Sequence, residues 1–265
     1  MSGHSKWAKI KRQKGANDAK RGALFTKLGK NITITASEGG GDPDTNFALR
    51  LAIDKAKAAN MPSNNIERAV KKGTGDGKKL DIQKVTYEAL GPGGVGLLID
   101  TQTDNTNRTV SELRKLLETN GAKMVTVNSV AWQFVEQGLI TIAPAKLQKS
   151  EKFGIKDSYE AVDIEEAQLE LLEIEGIKDI LEGESEDEDG KAYTTLEVFT
   201  EKNDFAKVLG AIESLLFKVE SAELVKVATE QLEGNSATTR KIEKLVEILE
   251  DHDDVDSVWN NLADV

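Results

Sequence analysis

The sequence contains no cysteine and only two histidines, His4 and His252. The first absence excludes disulfides, a thiolate nucleophile and a cysteine-ligated metal. It suits a reducing compartment without demanding one. With so little histidine there is no HExxH zinc motif, and no Ser-His-Asp set or paired carboxylates can be read from spacing. There are only four prolines, and three of them, Pro43, Pro62 and Pro92, fall at breaks between elements. No apolar run approaches the roughly 18 residues of a membrane span. No apolar core follows the basic opening segment, as a signal peptide would need. The expectation is a cytoplasmic, non-enzymatic protein with no cofactor, no membrane contact and no small-molecule substrate.

What is present is charge, and it is divided along the chain. Residues 1–80 hold 17 Lys/Arg against 7 Asp/Glu, residues 81–265 hold 18 against 39, so net +10 precedes net −21 and the sum is −11. Such an asymmetry points to one surface for a polyanion and another kept away from it. The overall pI of 4.9 is a poor guide, because a polyanion responds to the local field within a Debye length of about 8–10 Å.

The basic charge peaks at the start, MSGHSKWAKIKRQKGANDAKRG. Lys6, Lys9, Lys11, Arg12, Lys14, Lys20 and Arg21 can each neutralise a phosphate. Trp7 can stack on a base, a contact worth about 1–3 kcal/mol. The competing reading is a solvated arm that binds nothing specifically. Residues 1–16 lack an apolar period and read as a mobile arm. From Asn17 the pattern turns helical, with Leu24, Leu28 and Ile32 every fourth residue. Lys20, Lys27 and Lys30 fall off that stripe and are expected to face water.

Gly39-Gly40-Gly41 and Asp42-Pro43 end this helix. A second is expected over 45–59, with Leu49, Ala52, Ile53 and Ala56 on one side. A third is expected to start at an Asn64–Glu67 capping box and end at Gly73. It carries Arg68, Lys71 and Lys72. After a linker at 73–79, strands are expected at 85–90 and 95–101 around Gly91-Pro92-Gly93-Gly94, then a helix at 106–119. A second hairpin is expected from 130–135 and 139–143 around Gln137-Gly138. The remaining elements are helix 164–174, strand 177–182, an acidic loop, strand 192–200, helix 203–216, strand 219–228, helix 236–250 and strand 255–260. The fold class is α+β. A basic three-helix domain (1–80) precedes an α/β domain (81–130 with 235–265), and a ferredoxin-like α/β domain (131–234) is inserted in the second.

Other motifs carry less. GPGGVG at 91–96 is followed by a strand pattern where a phosphate loop needs a helix, so a turn with positive φ is the better reading. EGESEDED (182–189) and EDHDDVD (250–256) lack EF-hand spacing and read as solvated carboxylates that repel nucleic acid. Asp104–Thr109 is a polar turn that puts Arg108 in the first turn of a helix, where a cation opposes the dipole. Two readings stay open for Arg108: contact with an external anion, or pairing with an acid of its own domain.

Several long runs resemble one family. GHSKWAKIKRQKGANDAKRGALFTKLGKNI (3–32), GGGDPDTN (39–46), LRLAIDKAKAANMPSNNIERAVKKGTG (49–75), YEALGPGGVGLLIDTQTDNTNRTVSELR (87–114) and SVAWQF (129–134) are similar to the YebC/PmpR family, in order and over essentially the whole chain. The resemblance implies a helical bundle and two α/β domains, the last inserted within the second. It implies one of two functions. One is a DNA-binding transcriptional regulator. The other is a ribosome-associated translation factor or activator that binds ribosomal RNA and relieves stalls at proline-rich stretches. Two departures stand out: Phe47-Ala48 where many members have Pro-Arg, and Asn128 where glycine is more usual.

Overall fold

A computed structural model describes residues 18–75, 82–148, 158–186 and 191–263. The helical part comprises α1 (Asp18–Gly39), α2 (Phe47–Ala58) and α3 (Ser63–Thr74). Then follow β1 (Gln83–Leu90), β2 (Gly96–Thr103), α4 (Thr106–Thr119), β3 (Lys123–Val125), β4 (Phe134–Gln148) and β5 (Ser158–Ala161). The chain continues through α5 (Ile164–Leu172), β6 (Ile177–Glu186), β7 (Ala192–Glu201), α6 (Phe205–Ser214), β8 (Phe217–Ala228), α7 (Ser236–Glu250) and β9 (Val255–Asn260). Glu136–Val225 form one compact unit, and the flanking stretches of chain form another.

In the flanking unit, Leu28, Ile32 and Ala36 of α1 pack on Leu49, Ala52 and Ala56 of α2 and on Ile66 and Ala69 of α3. The fourfold spacing on α1 therefore makes a core, as its periodicity predicts. Its burial is wider than a stripe, however. Ile32 through Ala36 are all buried, and five consecutive residues exceed one turn of about 3.6, so α1 is enclosed around its circumference there. Asn46 fixes the turn into α2. Its Oδ1 accepts from the Leu49 N–H at 3.1 Å, and its amide donates to the carbonyls of Thr35 and Gly40, both at 2.8 Å.

Two expectations fail at α3. The helix starts at Ser63 with Pro62 as its N-cap and no side-chain cap. The proline presets a helix-compatible φ one step earlier, which leaves Asn64 inside the first turn. Gly73 does not end the helix either. A Cβ there would lie 2.3 Å from the Thr33 carbonyl oxygen and 2.8 Å from the Ala36 Cβ. The glycine permits close approach of α3 to α1.

The same unit holds an antiparallel sheet in the order β3-β1-β2-β9. β1 and β2 pair from Gln83–Thr103 to Leu90–Gly96. Gly93 and Gly94 between them take φ of 76° and 81°, so the Gly-rich stretch is a turn. Helices α4 and α7 supply Leu113, Leu117, Ile242, Leu245, Val246 and Leu249 to a core with Leu97, Ile99, Val255 and Val258 of the sheet.

In the Glu136–Val225 unit the order β4-α5-β6-β7-α6-β8 gives a sheet ordered β8-β4-β7-β6, with β5 on the end of β4. That is the ferredoxin-like arrangement of a βαββαβ block. The expected hairpin around Gln137-Gly138 is absent. Residues 131–133 are a 3-10 turn, and Phe134–Gln148 is one strand. Gly138 serves packing: a Cβ would lie 2.4 Å from both Phe205 Cδ2 and Thr200 Oγ1. The acidic loop also begins later than expected, because β6 continues to Glu186, paired with Ala192.

Candidate nucleic-acid interface

The fourteen residues singled out from sequence separate into three groups. Lys6, Trp7, Lys9, Lys11, Arg12 and Lys14 lie outside the described residues, and so does the side chain of Lys20. Arg21, Arg68, Lys71 and Lys72 are exposed. Lys27 and Lys30 are half-buried and Arg108 is exposed, and all three bond to groups of the protein.

The last group corrects the expectation that Lys27 and Lys30 face water. Lys27 donates to the Glu250 carbonyl, and Lys30 donates to the Gln102 carbonyl. Lys30 Nζ also lies 3.2 Å from Asp254 Oδ1, with only 22% of its side chain exposed. The cause is the enclosure of α1 that begins at Ile32: one turn earlier, the off-stripe face meets the end of α7 and the strand ends rather than solvent. Burial pulls the Lys27 ammonium below its usual pKa, against the opposing pull of Glu250, Asp256, Asp253 and Asp251.

Asp254, just ahead of β9, is the centre of this network. Its carboxylate accepts from Arg108 Nη2 at 2.9 Å, Thr109 Oγ1 at 2.8 Å and Thr103 Oγ1 at 3.1 Å, besides Lys30. Burial pushes its pKa upward, but hydrogen bonds from Arg108, Thr109 and Lys30 outweigh that and hold it well below the carboxylate range. Arg108 also pairs with Asp104 at 3.0 Å. Arg108 thus pairs with acids of its own domain while its side chain stays 45% exposed. The acidic segment 250–256 is accordingly not uniformly solvated, since Asp254 is buried.

Glu112, His252 and Asp254 bring three ligand-type side chains together. Their atoms are already committed. His252 Nδ1 accepts from the Asp254 N–H at 3.1 Å, which leaves Nε2 to donate to Glu112 at 3.0 Å. With Asp254 neutralised by two cations, the donor set suits a hydrogen-bonded network better than a metal ion.

Three of the exposed cations, Arg68, Lys71 and Lys72, share one face of α3. Ile66 and Ala69 point inward, while Ser63, Asn64, Glu67, Arg68, Lys71 and Lys72 are exposed. α3 follows the equally long α2 after residues 59–62, where Asn60 takes φ of 59°. The basic face therefore lies on the helix that follows this turn.

A second surface went unnoticed in the sequence. Glu88 of β1 is buried and accepts backbone N–H groups from Asn128 and Val130 at 2.6 Å and from Ala131 at 2.9 Å. Burial pushes the Glu88 pKa up, but these bonds outweigh it and the net shift is downward. Asn128 takes φ of 66°, a conformation that glycine adopts without strain. The pinned segment presents Trp132, 66% exposed, and Val127, 80% exposed. Beside it, Arg114, Lys123, Met124, Val125, Thr126 and Ser129 line an open groove of about 450 Å³. The signal available in the sequence was the run SVAWQF.

Residues 5–76 match the family model for the TACO1/YebC protein N-terminal domain, and residues 82–262 match that for the TACO1/YebC second and third domain. A probable transcriptional regulatory protein of Natranaerobius thermophilus is 40% identical over 261 residues, covering 98% of this chain and 96% of that one. A protein of the same name from Herpetosiphon aurantiacus is 41% identical over 262 residues, covering 99% and 94%. Among solved structures, a conserved hypothetical protein from Aquifex aeolicus superposes with a TM-score of 0.78 at 32% identity, covering 97% of this chain and 96% of that one.

Proposed function

The chain belongs to the TACO1/YebC family, and from that premise we propose that it is a cytoplasmic, non-enzymatic regulator of gene expression that binds duplex DNA. Relatives at about 40% identity are named probable transcriptional regulatory proteins. The observation that carries the reading is the exposed face of α3. Asn64, near the helix N-terminus, suits a base edge in the major groove, since Asn pairs in bidentate fashion with adenine. Arg68, Lys71 and Lys72 on the same face suit phosphates, which position without specifying. The basic segment before α1 adds sequence-blind attraction.

A second reading, a ribosome-associated translation factor on ribosomal RNA, is favoured by Trp132. An exposed indole has little to do in the groove of a regular duplex but is suited to an unpaired base.

In-cell crosslinking of the tagged protein, with recovered DNA and RNA sequenced separately, tests the two. Discrete promoter peaks that vanish in an Arg68→Ala/Lys71→Ala/Lys72→Ala variant support the DNA reading. Diffuse DNA signal together with ribosomal RNA reads clustered at one site overturns it in favour of the second.

A further inference from the structure

We propose that the groove beside Trp132 is a binding site for an unpaired nucleotide of a folded RNA, with the base stacked on the indole and its flanking phosphates on Arg114 and Lys123. The inference deepens the RNA reading and rests on the protein being a nucleic-acid binder.

Four observations carry it. First, Trp132 is exposed yet held in place: its Nε1 donates to the Ser129 carbonyl at 3.2 Å, so the indole faces are presented rather than tumbling. Second, the segment that carries it is pre-organised, because the Glu88 carboxylate collects three of its backbone N–H groups. Pre-organisation lowers the ordering cost of binding. Third, the local charge runs against its surroundings. Residues 114–135 hold Arg114, Lys115 and Lys123 against one acid, Glu118, within a stretch of net −21. Arg114 and Lys123 are exposed, and neither has an ion-pair partner among the described residues. Fourth, Thr126 and Ser129 line the same groove as Arg114 and Lys123. Their hydroxyls bond each other at 3.0 Å, and their remaining acceptor lone pairs can take a donor from a base edge or ribose.

The occupant follows from this chemistry. Stacking on an indole needs a base that is not already stacked, and folded RNA displays such bases in loops and bulges. A peptide strand is a poorer fit, because the edge strand β3 has only three residues and short edges template little pairing.

The test measures fluorescence anisotropy of full-length protein with three probes: an RNA hairpin with an unpaired loop, the same RNA fully paired, and a single-stranded DNA of the loop sequence. Trp132→Ala is expected to weaken hairpin binding roughly tenfold, and to leave the paired RNA unchanged. Trp132→Phe, which keeps a ring, is expected to retain most of the affinity. Arg114→Ala/Lys123→Ala is expected to reduce the salt slope on the hairpin by about 1.4. Unchanged urea midpoints, expected at such exposed positions, show that the variants fold.

Hairpin binding by Trp132→Ala equal to wild type overturns the site. So does an equal loss on paired RNA, or a loss confined to the DNA strand. The Arg68→Ala/Lys71→Ala/Lys72→Ala variant is run alongside on duplex DNA. If it loses affinity there while Trp132→Ala changes nothing on any probe, this site is wrong and the DNA reading stands. A wild-type protein that binds none of the nucleic acids overturns both.

Discussion

Lys30 in α1 and Asp254 before β9 are 224 positions apart in the chain, yet Lys30 Nζ lies 3.2 Å from Asp254 Oδ1. The pair joins the helical part to the four-stranded sheet, and it does so at a carboxylate that Arg108, Thr103 and Thr109 also reach. Residues that read individually as cations for a polyanion thus act together as an internal fastening. Arg68, Lys71 and Lys72 of α3, by contrast, are exposed and are the cations proposed to meet an external partner.

Asp254→Asn should therefore destabilise the fold. It keeps the size of the side chain but removes the charge that compensates a largely buried ammonium, and the hydroxyl groups lose a strong acceptor. Arg108 is 45% exposed and water can take over its solvation, so the loss falls mainly on Lys30 and the two threonines. A cost of about 2–3 kcal/mol is expected. Urea denaturation followed by circular dichroism measures it. A change below about 0.5 kcal/mol, the usual range of surface substitutions, would mean the network is incidental.

Acid should weaken the protein through the same carboxylate. Asp254 and Glu88 are both held below their ordinary pKa. In the unfolded chain such groups take up protons near pH 4, while in the folded chain they remain ionised. The unfolded state then binds more protons, so their contribution is complete at neutral pH and is lost as pH falls through about 4 and on toward the folded values. Lys27 has the opposite sign. Its pKa is lowered by burial, so it costs stability while charged, and that cost lifts as pH rises toward the ordinary lysine value. Urea midpoints should fall between about pH 5 and pH 3, less steeply in Asp254→Asn. Equal slopes in the two proteins would refute the assignment.

Much of this architecture was legible because it rests on local rules. The fourfold spacing of Leu28 and Ile32, the Thr106–Thr119 helix behind its Asn105 cap and the βαββαβ order all follow from periodicity and capping. What was not legible depends on what lies opposite. Lys27 and Lys30 look solvent-facing on a helical wheel, since no wheel records that α7 and the strand ends cover that side. Gly73 and Gly138 look like breaks, since a close approach and a turn both call for glycine. The Trp132 surface was hidden for the converse reason. Glu88 is an ordinary strand residue until β1 folds beside residues 128–131 and its carboxylate collects their N–H groups.

Gly73 offers a sharp test of close approach. In an unconstrained helix interior, Gly→Ala gains about 1 kcal/mol. Here the added methyl would meet the Thr33 carbonyl oxygen at 2.3 Å, and backbone cannot move aside as a side chain can. Overpacking of this kind costs about 1–3 kcal/mol, so Gly73→Ala should lower the Tm. A raised Tm would show that propensity, not the α1 contact, governs this position.

The division between internal and external cations makes its own prediction. On duplex DNA each neutralised phosphate contributes about 0.9 to the slope of log affinity against log salt. Removing Arg68, Lys71 and Lys72 together should reduce that slope by about 2.7. Lys30→Met and Arg108→Met, measured where the variants are still folded, should leave it unchanged, because these side chains already have protein acceptors. Their effect should appear in the urea midpoint instead. Anisotropy titrations at several salt concentrations separate the two classes. A full slope retained by the α3 variant would move the phosphate contacts off this helix. A reduced slope in the Lys30 variant would mean that its bond to Asp254 opens when DNA binds.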